Sequence, residues 1–360
     1  MVYNGIELFL KTNRWGEVRV KQVSTEGAVG HVLCHDITRI VRGGEKGVAF
    51  AKGHVVRAED IAELLALGKE HLFVWEREEG MLHENEAAEI LYAICAGEHM
   101  RKTAVKEGKI EVIAEAGGLF CVDVEKLRAI NGLGQMMIAA RHTNSPVQRG
   151  DKLAGTRVIP LVIEEERMRE AERVGGKTPI FALHPYKSKK VGIITTGSEV
   201  FKGRIEDTFT PVLREKLAAF DAEEIGHVVL DDDPSAVTDA IKNFLAMGAQ
   251  LVLCTGGMSV DPDDRTPLGI RNTGARVVSY GAPVLPGAMF LLAYAENGVP
   301  IMGLPGCVMY AKRTIFDLVL PRIMADVAVD ARDLAALGHG GLCLDCPHCR
   351  FPNCAFGAGI

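Results

Sequence analysis

The residues whose types and spacing could do chemistry are three glycine-bearing turns in the second half of the chain and four cysteines near its end. The turns are Thr195-Thr196-Gly197-Ser198-Glu199-Val200, then Cys254-Thr255-Gly256-Gly257-Met258-Ser259-Val260 running into Asp261-Pro262-Asp263-Asp264, then Gly303-Leu304-Pro305-Gly306. Each follows an apolar or β-branched run that reads as a strand and precedes a helical pattern. A doubly wound sheet collects such turns at one edge, where backbone N–H groups and helix N-termini make an anion site. Gly256 and Gly257 let the main chain approach a phosphate with no side chain in the way. Glu199, Asp207, Asp261, Asp263 and Asp264 would crowd carboxylates against that same anion. Such groups repel a phosphate unless a hard cation lies between them, which points to Mg²⁺ or a similar ion.

Cys343, Cys346, Cys349 and Cys354 follow the spacing C-x2-C-x2-C-x4-C. Four thiolates so placed can wrap one metal centre without a large fold around them. The first three lean slightly towards an iron–sulfur cluster over zinc, because four-cysteine zinc sites more often use two separated pairs. His348 inside the run could replace one cysteine, and a disulfide is the metal-free alternative. Gly338-His339-Gly340-Gly341 ahead of the tail reads as a flexible hinge. The other cysteines, Cys34, Cys95, Cys121, Cys254 and Cys307, read as small buried hydrophobes.

Taken in order, the three turns, with Gly203, Ile205 and Asp207-Thr208 after the first, resemble the molybdopterin-binding domain over roughly residues 187 to 326. That domain occurs in the molybdenum insertases (molybdopterin molybdotransferases) and, in related form, in competence-damage-protein pyrophosphatases. The resemblance implies that Thr196, Gly197, Thr255, Gly256, Gly257, Ser259, Pro305 and Gly306 bind the phosphate and pterin of molybdopterin, free or adenylated. It also implies that Glu199, Asp207 and Asp264 are the catalytic acids, binding Mg²⁺ and helping to place molybdate. Two departures stand out. Pro286-Gly287 is followed by Ala288-Met289, where the insertases usually carry a lysine, and their Asp-Gly-Tyr-Ala segment is missing. Three functions follow as expectations: a magnesium-dependent insertase, a non-catalytic carrier or sensor serving a molybdoenzyme or maturation protein, and a nucleotide pyrophosphatase. Insertase relatives are commonly dimers, so a homodimer is implied.

The 360 residues are ample for several domains, and 48% hydrophobic with 24% charged residues is the balance of a globular protein rather than a disordered one. A net charge of −6 gives no electrostatic ground for nucleic acid or an anionic membrane. The opening Met1-Val2-Tyr3-Asn4-Gly5 lacks the features of a signal peptide, so the cytoplasm is the expected compartment. Four segments are expected: a β-rich one over 1–80, an α+β one over 81–186, the α/β molybdopterin-binding domain over 187–328, and the cysteine tail over 329–360. The expected fold class is α/β, a doubly wound and largely parallel sheet preceded by mixed α+β segments. Within the second segment, 124–140 reads as helices interrupted by Gly132 and Gly134, and His83-Glu84-Asn85-Glu86 as an acid-rich helix start rather than a metal site. In the third, 308–324 reads as one helix, Asp233-Pro234 as a helix cap, and Asp231-Asp232-Asp233 as caps or a solvated turn.

Overall fold

The computed structural model describes residues 20–39, 47–75, 79–259 and 265–359. By backbone packing the chain divides into two units. The first takes the described residues up to Glu115 with Val122–Arg141 and Gly150–Ala182, and the second takes Ala116–Cys121, His142–Arg149 and everything described from Leu183 onward.

The first unit is α+β with antiparallel strands. Val20–Ser24 and Val32–Leu33 flank His71–Trp75, and the helix Asp60–Ala66 lays Leu64 against Leu33, Ile37, Phe50, Leu72 and Val74. A four-stranded sheet runs in the order Met136–Ala140, Lys152–Val158, Lys109–Ala114, Met100–Lys102. The stretch expected as interrupted helices is therefore one helix, Val124–Gly132, followed by a strand. Gly134 and Gln135 take positive φ to make the turn, and pairing with Lys152–Val158 then holds 136–140 extended. His83 begins the helix Glu84–Cys95 through a capping box: its Nδ1 accepts from Asn85 N at 3.2 Å, and Glu86 Oε2 accepts from His83 N at 3.1 Å.

The second unit is an α/β sheet wound on both faces. Its strands are β1 (Lys190–Thr196), β2 (Glu223–Leu230), β3 (Leu251–Thr255), β4 (Arg276–Tyr280), β5 (Leu291–Tyr294) and β6 (Pro300–Leu304). They lie in the order β2-β1-β3-β6-β5-β4, with β2, β1, β3 and β6 mutually parallel and β5 antiparallel to both neighbours. One face packs Val191, Ile193, Leu253 and Met302 against Leu213, Phe316 and Leu320. The other packs Ile194, Val252, Cys254 and Ile301 against Val237, Ile241, Phe244 and Ile270. Strand residues so apolar on both faces are what a parallel sheet covered by helices requires. A Cβ on Gly192 would lie 2.5 Å from the Phe244 ring, so this glycine lets a helix pack closely on the sheet.

Helix α1 is the short Ser198–Phe201, α2 is Phe209–Ala218, α3 is Pro234–Ala246 and α4 is Thr266–Asn272. Asp233 caps α3 as expected, its Oδ1 accepting from Ser235 N at 2.9 Å. The helix expected over 308–324 divides instead into a 3₁₀ turn, Gly306–Met309, and α5, Ile315–Met324. Thr314 is the cause: with Asp317 it forms a capping box that starts a new helix there. Helix α6 (Ala331–Ala336) follows, and the tail then lies on this unit. The stretch expected as a hinge is packed: a Cβ on Gly341 would overlap the carbonyl of Pro283, and Gly341 O accepts from Leu285 N at 2.8 Å. Among the described residues no helix is long and apolar enough to cross a membrane.

Candidate functional site at the carboxyl edge of the sheet

Because β1, β2, β3 and β6 run parallel, Thr196, Leu230, Thr255 and Leu304 end at one edge, each leading into a turn. The chain leaves β1 first for β2 on one side and later for β3 on the other. The crevice between the ends of β1 and β3 is thus the topological switch point, where open α/β sheets bind ligands.

The first two turns interlock there. Gly256 has φ +79° and Gly257 φ +52°, and a Cβ on Gly256 would overlap the Thr196 carbonyl. One on Gly257 would lie 2.8 Å from Thr266 Oγ1. Thr196 Oγ1 donates to Thr255 O at 3.2 Å and lies 3.0 Å from Thr266 Oγ1, while Thr266 N donates to Gly257 O at 3.2 Å. Thr196 and Thr255 are 4% and 1% exposed, and the Thr196 hydroxyl braces the two turns from beneath. Thr255 Oγ1 is buried with no hydrogen-bond partner. Gly197 takes φ +140°, and Ser198 N donates to Asp232 Oδ2 at 2.9 Å. Asp232 therefore reaches the switch point from the end of β2, a role hidden in an acidic run that reads as solvated. Ser259 is exposed, and its carbonyl accepts from Tyr280 Oη at 3.3 Å. Pro305 is buried, and Gly306 is exposed with open space where a Cβ would stand.

Asp207 holds the start of α2. Its Oδ1 accepts from Phe209 N and Thr210 N at 2.9 and 3.0 Å, and its Oδ2 from Thr210 Oγ1 and Thr195 Oγ1 at 2.6 and 3.3 Å. These are four donors for the roughly four lone pairs of a carboxylate. His227 Nε2 lies 3.5 Å from Oδ2 and 3.0 Å from Thr195 Oγ1. Burial pushes the Asp207 carboxyl up; the bonds from Thr210 and Phe209, with His227 beside it, outweigh that and hold it below the usual range. Glu199 is exposed on α1. Asp261, Asp263 and Asp264 lie outside the described residues, so the acidic cluster expected after Gly257 has no described geometry.

The Mg²⁺ implied by resemblance fits the described residues poorly. Asp207 is already saturated with donors, and no three His, Cys, Asp or Glu side chains among the described residues stand together as a metal group. Equally, the expected four-cysteine cluster is not assembled: Cys343, Cys346, Cys349 and Cys354 are free thiols, and none is in a disulfide. The Cys349 thiol is held below its ordinary value, chiefly by the Phe351 backbone N–H and then by Arg313 and Lys312. Burial pushes Cys254 the opposite way, up to about 12.

Residues 22–76 match a family described as a "Domain of unknown function" (DUF8806), and residues 192–325 one described as "Probable molybdopterin binding domain". The chain is 38% identical over 80 residues to a CinA-like protein of Mycolicibacterium vanbaalenii, a match covering 22% of this chain and 19% of that one. It is 32% identical over 83 residues to a molybdenum cofactor biosynthesis bifunctional protein of Synechococcus elongatus, covering 23% and 26%. The chain thus spans only about a fifth to a quarter of the length of these curated relatives. The solved molybdopterin biosynthesis enzyme MoaB of Thermus thermophilus aligns at 24% identity and a TM-score of 0.32, over 37% of this chain and 91% of that one. Residues 192–325 are accordingly a domain of the molybdopterin-binding family.

Proposed function

We propose that the second unit binds molybdopterin, free or adenylated, in the crevice between the ends of β1 and β3, as a step in molybdenum cofactor biosynthesis or maturation. The observation that carries this reading is the convergence of three glycine turns on one parallel edge inside the family-matched segment. Main-chain N–H groups at Gly256, Gly257 and Gly306 are the donors we assign to the terminal phosphate, with the exposed Ser259 hydroxyl; Gly197, whose N–H donates to Leu230 O at 3.2 Å, shapes the first turn through its positive φ. Thr196 acts from beneath, by joining the first two turns, while Thr255 ends β3 and Pro305 follows β6, both buried. Asp207 positions α2 and the Thr195–His227 group.

Bound Mg²⁺ would neutralise charge between phosphate and carboxylate, and Glu199 and Asp264 are the residues we assign to it. Molybdate insertion is the enzymatic form of the proposal. Carriage is the form favoured by Ala288 and Met289, since no lysine follows the Pro286-Gly287 turn. Release of AMP from adenylated molybdopterin on addition of molybdate separates the two, because a carrier releases none. The nucleotide pyrophosphatase reading stays beside them because the CinA-like match has the higher identity. Molybdate-independent hydrolysis of an ADP-ribose-type substrate is its test.

A further inference from the structure

We propose that Cys343, Cys346, Cys349 and Cys354 are the ligands of a thiophilic metal centre, a zinc ion or an iron–sulfur cluster, docked on the molybdopterin-binding domain. Free cysteine is among the most buried residue types, and Cys95 and Cys254 obey that rule at 0% exposure. Cys346, Cys349 and Cys354 break it: they are the exposed cysteines among the described residues, and all belong to one short segment. Packing does not explain such a group of surface thiols, whereas ligation does.

The segment is fixed at both ends and has no regular secondary structure between them. At its start Cys343 N donates to Leu285 O at 2.8 Å, and Cys343 packs on the core. At its end Phe356 is buried, Phe351 packs on the same core, and the Arg313 guanidinium lies 5.1 Å above the Phe351 ring. Residues 344–350 form neither helix nor strand. Lys312 Nζ reaches into them, donating to Cys346 O at 3.2 Å and Pro347 O at 3.3 Å. None of the four cysteines is in a disulfide.

Charge favours the same assignment. Four thiolates around one Zn²⁺ leave two net negative charges; Lys312 brings a positive charge to the loop, and Arg313, paired with Asp317 at 2.8 Å, lies at its edge. No three of the sulfurs share a metal group in the present conformation, so ligation draws the exposed part of the loop in around the anchored Cys343, with each thiol giving up its proton. Lys312 and Arg313 lie on the stretch that leaves Gly306, so the centre is joined through one short segment to the edge where the cofactor is proposed to bind.

The test uses the full chain, purified without oxygen, assayed for iron and sulfide, then stripped with chelator and titrated with Co²⁺ as a spectroscopic stand-in for Zn²⁺. The expected result is either iron with sulfide as purified, or tetrahedral cobalt–thiolate absorption that saturates at about one equivalent and is displaced by Zn²⁺. Both signals are lost in the Cys346→Ser/Cys349→Ser variant. Because that variant could fail to fold, iodoacetamide labelling of the wild type provides a second readout: metal protects Cys346, Cys349 and Cys354, and chelator restores their reaction. No iron and no saturable cobalt signal in the wild type would overturn the proposal. So would labelling indifferent to metal, or a signal that persists in the double variant.

Discussion

Gly256 approaches Thr196 so closely that a Cβ at position 256 would overlap the Thr196 carbonyl oxygen. The glycine is thus required twice over, since its φ is also +79°. Gly256→Ala should destabilise the domain by roughly 2–5 kcal/mol, the sum of an overpacking cost and a left-handed Cβ penalty. Urea unfolding measures it. A loss under about 0.5 kcal/mol, as for an ordinary surface change, would mean the two turns do not interlock as described.

Two neighbouring threonines should respond differently to loss of the hydroxyl. Thr255 Oγ1 is buried without a partner, so Thr255→Val should leave stability unchanged or raise it by up to about 1 kcal/mol. Thr196 Oγ1 joins Thr255 O to Thr266 Oγ1, so Thr196→Val should cost about 1–3 kcal/mol. Equal losses in the two variants by thermal melting would contradict the network.

Asp207 predicts a pH dependence. Its folded carboxyl titrates below the unfolded one, so its contribution is fully present above the unfolded value of about 3.9 and is lost as pH falls through the lower folded value. Asp207→Asn should lower stability at neutral pH by about 1 kcal/mol, because an amide nitrogen cannot accept from the Thr210 and Thr195 hydroxyls, and should flatten the acid limb. Stability curves of the two proteins that stay parallel down to the lowest pH would refute this.

Thiol chemistry separates the cysteines into two groups. Burial pushes Cys95 and Cys254 up to about 12 and closes them off, so both should stay unlabelled by iodoacetamide at neutral pH until the chain unfolds. Metal-free Cys349, exposed and held below its ordinary value, should label first. Peptide mapping after a short pulse reads the order, and early labelling of Cys254 would mean that the β3 core opens readily.

Much of the second unit is legible in the sequence because its signals are local. Val191–Ile194 and Leu251–Leu253 are apolar on both faces, and Asp233-Pro234 announces a helix whatever its surroundings. What escapes depends on distant partners. Residues 136–140 become a strand through pairing with 152–158, and Asp232 reaches the site only because β2 lies beside β1. Gly256 and Gly257 read as space left for a phosphate, but the space is first needed for Thr196 and Thr266. Thr196 belongs to the expected motif, yet burial and its hydroxyl contacts give it a bracing part that sequence cannot distinguish from ligand contact.

The most direct measurement is the pterin released from the full chain purified from a molybdenum-replete host, read as its fluorescent oxidation product, for wild type and Gly306→Asp. Position 306 is exposed with open space for a Cβ, so the substitution adds negative charge at the proposed phosphate site without disturbing the core. The prediction is near-stoichiometric pterin on the wild type and its loss from a Gly306→Asp protein that melts at the wild-type temperature. Wild-type protein free of pterin, or a variant that retains it fully, would contradict cofactor binding at this edge.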